Sequence, residues 1–175
     1  DLIISSLINA LLSQPILPNP PRAQLIYCVP CSWIVRETIT NCGGQPIIDR
    51  VGHSFIKKTM RETGAVFGCE HSGHYFYRDF YRADSGVITV LIVLEALSEA
   101  KSEKEENISQ ILKQYQKYFS LPETNFIVEN KAKKISELEI IYSSLAKKIE
   151  KIDGLTMEFA DWWFNVRPSN TEPKL

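Results

Sequence analysis

Ala65-Val66-Phe67-Gly68-Cys69-Glu70-His71-Ser72-Gly73-His74 is an apolar run that meets a glycine and opens into a polar loop. The run predicts a buried strand over Ala65 to Phe67, with Gly68 ending it. The loop from Cys69 to Gly73 then offers a carboxylate, an imidazole and a hydroxyl at one strand end. In an open α/β sheet, ligands collect outside the carboxyl ends of the strands. Glu70 accepts hydrogen bonds, Ser72 both donates and accepts, and a histidine does either, a set suited to the vicinal hydroxyls of a sugar. A merely solvated surface loop has the same composition, so the pattern leaves both readings open. All three histidines (His53, His71 and His74) fall between Gly52 and Gly86, with the pair Lys57/Lys58.

Outward from this stretch, strands alternate with helices. Asp1 to Ser13 predicts a helix, closed by the proline-rich break Pro15 to Pro21. Gln24 to Val29 predicts a buried strand, Trp33 to Cys42 a helix ended by Gly43-Gly44, Pro46 to Ile48 a short strand, and His53 to Glu62 a helix. Tyr75 to Phe80 alternates like a further strand. Asp84 or Ser85 can cap a helix reaching about Ala100 that is apolar nearly all round, which predicts that it is buried. This order describes an α/β domain over residues 1–120, with a mixed, largely parallel sheet and flanking helices.

Composition shifts at Lys101. Ile108, Ile111, Leu112, Tyr115 and Phe119 predict one amphipathic helix, and Leu121-Pro122 a hinge. Residues 121–175 then read as an α+β domain: a strand at Asn125 to Val128, a helix stripe of Ile135, Leu138, Tyr142, Leu145 and Ile149, and strands at Leu155 to Phe159 and Trp162 to Val166. With the sequence ending at Leu175, that domain is expected to be truncated. In its last loop Arg167 can bind a phosphate bidentately, and Ser169, Asn170 and Thr171 add neutral donors along a turn. Pro-Ser-Asn-Thr is equally ordinary turn composition.

The 175 residues are 44% hydrophobic, enough for a real core, and carry a formal charge of −1. Neither half is strongly basic, so no nucleic-acid or anionic-membrane partner is expected. Leu2 to Leu12 is apolar but lacks a basic leader, so no signal peptide is read there. Four cysteines (Cys28, Cys31, Cys42 and Cys69) without a secretory context predict reduced thiols and a cytoplasmic location.

Gly68-Cys69-Glu70-His71-Ser72-Gly73-His74 is preceded by Val51-Gly52-His53-Ser54-Phe55-Ile56-Lys57 and followed by Phe80-Tyr81-Arg82-Ala83-Asp84-Ser85-Gly86. Together these resemble the α-D-phosphohexomutase family, its phosphomannomutase/phosphoglucomutase members in particular. Arg167-Pro168-Ser169-Asn170-Thr171-Glu172-Pro173, about a hundred residues later, resembles that family's phosphate-binding loop. The resemblance covers nearly the whole chain but only the later part of the family's architecture, its third and fourth domains.

It implies transfer of phosphate between O6 and O1 of a hexose phosphate through a bisphosphorylated intermediate, with Mg²⁺ and hexose 1,6-bisphosphate as cofactors. Glu70 and Ser72 would bind sugar hydroxyls, and His53 and His74 would line the pocket, either assisting proton transfer or orienting the substrate. Arg167, Ser169, Asn170 and Thr171 would hold the phosphate remote from the reacting one. The family's phosphoserine loop and Asp-rich metal loop have no counterpart here: neither Thr-Ala-Ser-His-Asn-Pro nor Asp-Gly-Asp-Gly-Asp occurs. The chain is therefore expected to be inactive alone, to hold no metal itself, and to need the missing N-terminal domains in cis or in trans.

Two departures stand out. Relatives commonly read Asp-Val-(Lys/Arg)-Cys-(Ser/Thr)-Arg where this chain has Cys28-Val29-Pro30-Cys31-Ser32-Trp33. Pro30 thus replaces a basic candidate proton carrier. Cys69 stands where a glycine is usual, which would strain the backbone were φ positive. The first departure creates a C-x-x-C between a strand and a helix, the setting of a thiol redox motif whose pKa a helix N-terminus would lower. A zinc site would instead need Cys28 and Cys31 to meet the Cys69/His71/His74 loop. A non-catalytic sugar-phosphate binding module is a third alternative.

Overall fold

A computed structural model describes residues 1–13, 23–104, 107–169, 172, 174 and 175; the side chains of 100–104 are left out of the description. The chain divides into two compact units, Asp1–Ser120 and Leu121–Leu175.

In the first unit α1 (Leu2–Ser13), β1 (Gln24–Cys28), α2 (Trp33–Asn41), β2 (Gln45–Asp49) and α3 (His53–Thr63) lead into three short strands. These are β3 (Phe67–Cys69), β4 (Tyr75–Tyr77) and β5 (Ala83–Asp84); α4 (Gly86–Lys104) and α5 (Ile108–Lys113) follow. The sheet order is β2-β1-β3-β4-β5, with β2, β1 and β3 parallel and the last two strands antiparallel. Period-two alternation splits β1 between two cores. Leu25, Tyr27, Phe67 and Cys69 pack with Ile4 and Ile8 of α1 and Val35 and Ile39 of α2. Ile26 and Phe76 pack on the opposite face with Ile56 and Met60 of α3. Because β1 has β2 on one side and β3 on the other, with α2 and α3 on opposite faces, the chain direction switches between β1 and β3. That is where an open α/β sheet leaves a crevice.

Several boundaries differ from the sequence expectation for physical reasons. The strand expected over Ala65 to Phe67 is displaced to Phe67–Cys69, so Gly68 lies inside it rather than ending it. Its missing side chain is what admits α3: a Cβ on Gly68 would stand 2.7 Å from Cγ2 of Ile56. Cys69 is consequently in extended backbone, and the positive-φ strain expected there is absent; among the described residues the positive-φ ones other than glycine are Tyr81 and Arg82. The strand expected to reach Phe80 stops at Tyr77, where the chain turns through that pair. Ser85 does cap α4, its Oγ accepting from the Ile88 amide at 3.3 Å. The helix is not buried all round, however. Ile88 and Ile92 join the core while Val87, Val90, Leu91 and Leu94 are each more than half exposed. The helix expected to run to Phe119 ends at Lys113. Tyr115 still packs into the core, and Phe119 is fully exposed.

In the second unit α6 (Lys131–Tyr142) covers an antiparallel sheet of β6 (Lys148–Glu150), β7 (Leu155–Glu158) and β8 (Trp163–Val166). Leu155, Met157 and Phe159 form its core with Ile135, Leu138 and Tyr142. The helix stripe was expected to extend through Leu145 to Ile149. Instead the helix closes at Tyr142, Leu145 is exposed, and Ile149 belongs to β6, paired with Met157. No strand forms at Asn125 to Val128. Ile127 makes a single antiparallel bridge to Lys174, flanked by reciprocal bonds between the Phe126 and Leu175 backbones.

Candidate functional site

The carboxyl ends of β1 and β3 lie side by side, with Tyr27 opposite Cys69 in parallel register. The loop that follows β3 is closed by its own backbone: Glu70 N–H donates to His74 O at 2.9 Å, and Gly73 N–H to Glu70 O at 3.0 Å. This turn buries the Glu70 side chain, and the residue is only 4% exposed. Its Oε1 accepts the Gly52 amide at 2.6 Å, tying β3 to the start of α3. Gly52 has φ +129°, a conformation that L side chains rarely adopt, so glycine there is what presents the amide. A carboxylate has about four lone-pair sites, so Glu70 keeps acceptor capacity beyond this bond. Ser72, His71 and His74 stand exposed on the same loop, and His53, the first residue of α3, is exposed beside Gly52.

Both loop imidazoles are oriented by carboxylates. His74 Nδ1 lies 2.5 Å from Asp84 Oδ2, and His71 Nδ1 lies 3.2 Å from Asp1 Oδ1. Asp84 is thus a site residue that sequence reasoning took only as a helix cap; β5 carries it back against β4, which periodicity over two residues could not reveal. With Nδ1 engaged, His74 presents Nε2 as its remaining proton-carrying atom.

The two cysteine-bearing loops do converge. The His71 amide donates to Cys28 Sγ at 3.2 Å, and Cys28 and Cys31 Sγ atoms are 3.6 Å apart. The lowering of the thiol pKa expected from the helix dipole is nevertheless outweighed by the surroundings. Cys28 is pushed well above the usual thiol range by its hydrogen bond to Cys31 and by burial. Cys31 is drawn down by Cys28, but its bond to Cys69 and its burial outweigh this and leave it raised as well. All four cysteines are free, and among the described residues no group of three or more His, Cys, Asp or Glu is arranged to hold a metal ion.

The second expected loop belongs to the other unit. Arg167 follows β8 directly, its guanidinium partly exposed and loosely paired with Glu123 at 3.8 Å and Asp153 at 4.0 Å. Ion pairs of that length at a surface are weak, so an anion with bidentate geometry can displace them. Ser169 Oγ accepts the Glu172 amide at 3.1 Å. Asn170 and Thr171, the other residues assigned to phosphate, lie outside the described residues.

A doubly wound α/β unit with a buried carboxylate at its switch point, followed by a small α+β unit ending in an arginine loop, is the class this geometry defines. Residues 1–118 match the family model described as phosphoglucomutase/phosphomannomutase, alpha/beta/alpha domain III, and residues 123–175 match the C-terminal domain of the same family. The phosphomannomutase of Salmonella typhimurium is 35% identical over 167 residues, covering 95% of this chain and 36% of its own length. The phosphomannomutase of Vibrio cholerae is 35% identical over 178 residues, covering 100% and 37%. A crystal structure of a phosphoglucomutase/phosphomannomutase family protein from Burkholderia thailandensis superposes with a TM-score of 0.77 at 31% identity, over 97% of this chain and 35% of that one. The chain belongs to the phosphoglucomutase/phosphomannomutase family. It spans little more than a third of the length of the curated relatives it matches.

Proposed function

We propose that this chain is the sugar- and phosphate-binding portion of a phosphohexomutase that interconverts hexose 6-phosphate and hexose 1-phosphate through a bisphosphorylated intermediate. The observation that carries the reading is Glu70: a carboxylate buried at the switch-point edge, fixed by the Gly52 amide, inside a loop whose other polar side chains face solvent. A solvated loop has no reason to bury its one carboxylate there.

On this reading Glu70 and Ser72 hold sugar hydroxyls, and His74, steadied by Asp84, accepts or returns a proton at Nε2. His53 stands by at the start of α3. Arg167 supplies charge to a phosphate, with Ser169 donating to it and Asn170 and Thr171 assigned the same role. Firm grips on the hydroxyls and on a phosphate let a sugar present O1 and O6 in turn without renewing the entropy cost of positioning.

The residues here do not fit a magnesium site or a phosphoryl carrier. No Asp-Gly-Asp-Gly-Asp or Thr-Ala-Ser-His-Asn-Pro run occurs. Mg²⁺, the phosphoserine and the hexose 1,6-bisphosphate chemistry are therefore assigned to further domains, joined in cis or in trans, and this chain alone is expected to turn nothing over. Four free thiols fit a reducing compartment such as the cytoplasm. Among the described residues no helix is long and apolar enough to cross a membrane.

The test is chemical-shift mapping with mannose 1-phosphate and glucose 1-phosphate. Shifts are expected at residues 70–74 and around Arg167. Glu70→Gln should weaken binding about tenfold, the loss of roughly one charge-assisted hydrogen bond. No shifts at millimolar ligand, or turnover that follows the purified chain through every column, would overturn the assignment. A sugar-phosphate binder without a catalytic context would instead bind fully on its own and gain nothing from added N-terminal domains. The C-x-x-C redox alternative requires a reactive thiolate, and the raised Cys28 and Cys31 thiols weigh against it.

A further inference from the structure

The connector between β2 and α3 is only Arg50-Val51-Gly52, and it crosses the carboxyl edge of the sheet. At one end it leaves the Cys28–Asp49 pair beside β1, where the Val29 amide donates to Asp49 O at 3.1 Å. At the other end the Gly52 amide is held by Glu70. Val51 between them packs against the core on the α1 and α2 face. Arg50 is exposed, yet its side chain is placed. The guanidinium carbon lies 4.4 Å from the centroid of the Phe55 ring in the first turn of α3, and the Arg50 amide donates to Asp49 Oδ1 at 2.7 Å.

The fold makes little use of that placement. α3 buries Ile56 and Met60, whereas Phe55 is 37% exposed, so its ring is a platform on the outer side of the helix. An exposed cation–π contact adds little to stability, and ordering an arginine costs rotamer entropy. Among the described residues the guanidinium meets no carboxylate and no hydrogen-bond acceptor, so none of its five donors is spent on the protein. The cations that follow on α3 are engaged elsewhere: Lys58 pairs with Glu62 at 3.8 Å, and Lys57 lies over the buried Phe76 ring at 5.9 Å. Cys28 to Cys31 bring no basic residue to the end of β1.

We propose that Arg50 gives the first unit a phosphate contact of its own, a stacked guanidinium that binds a phosphate monoester whose sugar hydroxyls engage Glu70. Stacking fixes the plane of the fork and leaves its N–H edge open, the geometry that two phosphate oxygens require. Gly52 ties this cation to the carboxylate. A Cβ there would stand 3.2 Å from Phe55 Cδ2, so the same glycine presents its amide to Glu70 and leaves room for the platform. A hydroxyl-accepting carboxylate and a phosphate-binding guanidinium at the two ends of one short connector select a phosphorylated sugar over a free sugar or a free anion. The proposal rests on the sugar reading of Glu70 and adds to it a contact separate from Arg167, which belongs to the other unit.

The experiment uses the full chain with Arg167→Gln in every sample, so that the second unit's guanidinium is silent. Inorganic phosphate, glucose and glucose 1-phosphate are titrated at matched ionic strength, with sodium chloride as the blank. NMR follows the Arg50 Nε–H and the amides of residues 50–53 and 70–74. Phosphate is expected to move the Arg50 Nε–H, glucose to leave it still, and glucose 1-phosphate to move both groups. Arg50→Gln should weaken glucose 1-phosphate binding about tenfold, the loss of one charge-assisted contact, with thermal unfolding unchanged. Arg50→Lys keeps the charge without the fork and should recover only part of that loss. Phe55→Leu keeps the cation but removes its platform, and its affinity should fall between the parent and Arg50→Gln. An Arg50 resonance that follows chloride as it follows phosphate overturns the proposal, and so does an Arg50→Gln chain that binds as tightly as its parent. If residues 70–74 stay still with both sugars while Arg50 answers to phosphate, the sugar reading of Glu70 fails and the phosphate contact is upheld.

Discussion

Replacing Gly68 by alanine tests whether the close approach of α3 to β3 sets the height of the Glu70 loop. An added Cβ meets Ile56 Cγ2 at 2.7 Å, Met60 Sδ at 3.6 Å and Phe76 Cβ at 3.7 Å. Ile56 and Met60 are fully buried, and Phe76 is 1% exposed. Cγ2 sits on a β-branched side chain that is stiff about χ1, so it cannot swing aside as a long flexible chain would. Overpacking of this kind costs about 1–3 kcal/mol. Gly68 is not among the positive-φ residues, so alanine adopts its backbone freely and should return about 0.4–1 kcal/mol through the unfolded chain. The net expectation is destabilisation by about 1–2 kcal/mol, read from urea unfolding of the chain. The sign is decisive, because without the contact the substitution would stabilise. Ile56→Leu removes the β-branch at nearly constant volume, so in that background Gly68→Ala should cost at least about 1 kcal/mol less, a coupling a double-mutant cycle resolves. Gly68→Ala that stabilises, or that costs the same in both backgrounds, would refute the packing argument.

Alkylation in the native state separates the cysteines. Cys42, only partly buried, should react first at neutral pH, while Cys28, Cys31 and Cys69 should stay unmodified until the chain unfolds, as mass spectrometry of timed samples would show. Labelling of Cys28 or Cys31 at the rate of a peptide thiol would restore the redox alternative. Burial pushes the Tyr77 phenol up to about 12 from its ordinary 10.0, even though its hydrogen bond to Thr89 Oγ1 pulls the other way. The folded state therefore holds this proton more tightly than the unfolded one. The associated stability is fully present below about pH 10 and is lost as pH rises through about 12. Tyr77→Phe should flatten that alkaline limb in denaturation curves measured from pH 9 upward. An unchanged slope would mean that Tyr77 is not the titrating group.

What the sequence made legible depended on how local the governing physics was. β1, α1 and α3 follow from runs or periodicity within a dozen residues, and the Ser85 cap follows from one side chain. The placement of β3 does not, because Gly68 belongs to a strand only once Ile56 is known to lie over it, and that contact joins residues twelve apart across two elements. The exposure of Val90, Leu91 and Leu94 shows the complementary limit: an all-round apolar helix specifies that something covers it without specifying what. The same division runs through the site. Glu70, Ser72 and Arg167 are visible because they cluster in motifs. Asp84 is not, since it acts on a distant loop through a single side chain: His74 lies ten residues away. Motifs therefore disclose the clustered groups of a candidate site, whereas the groups that aim them are found only where the fold brings an isolated charge against a loop.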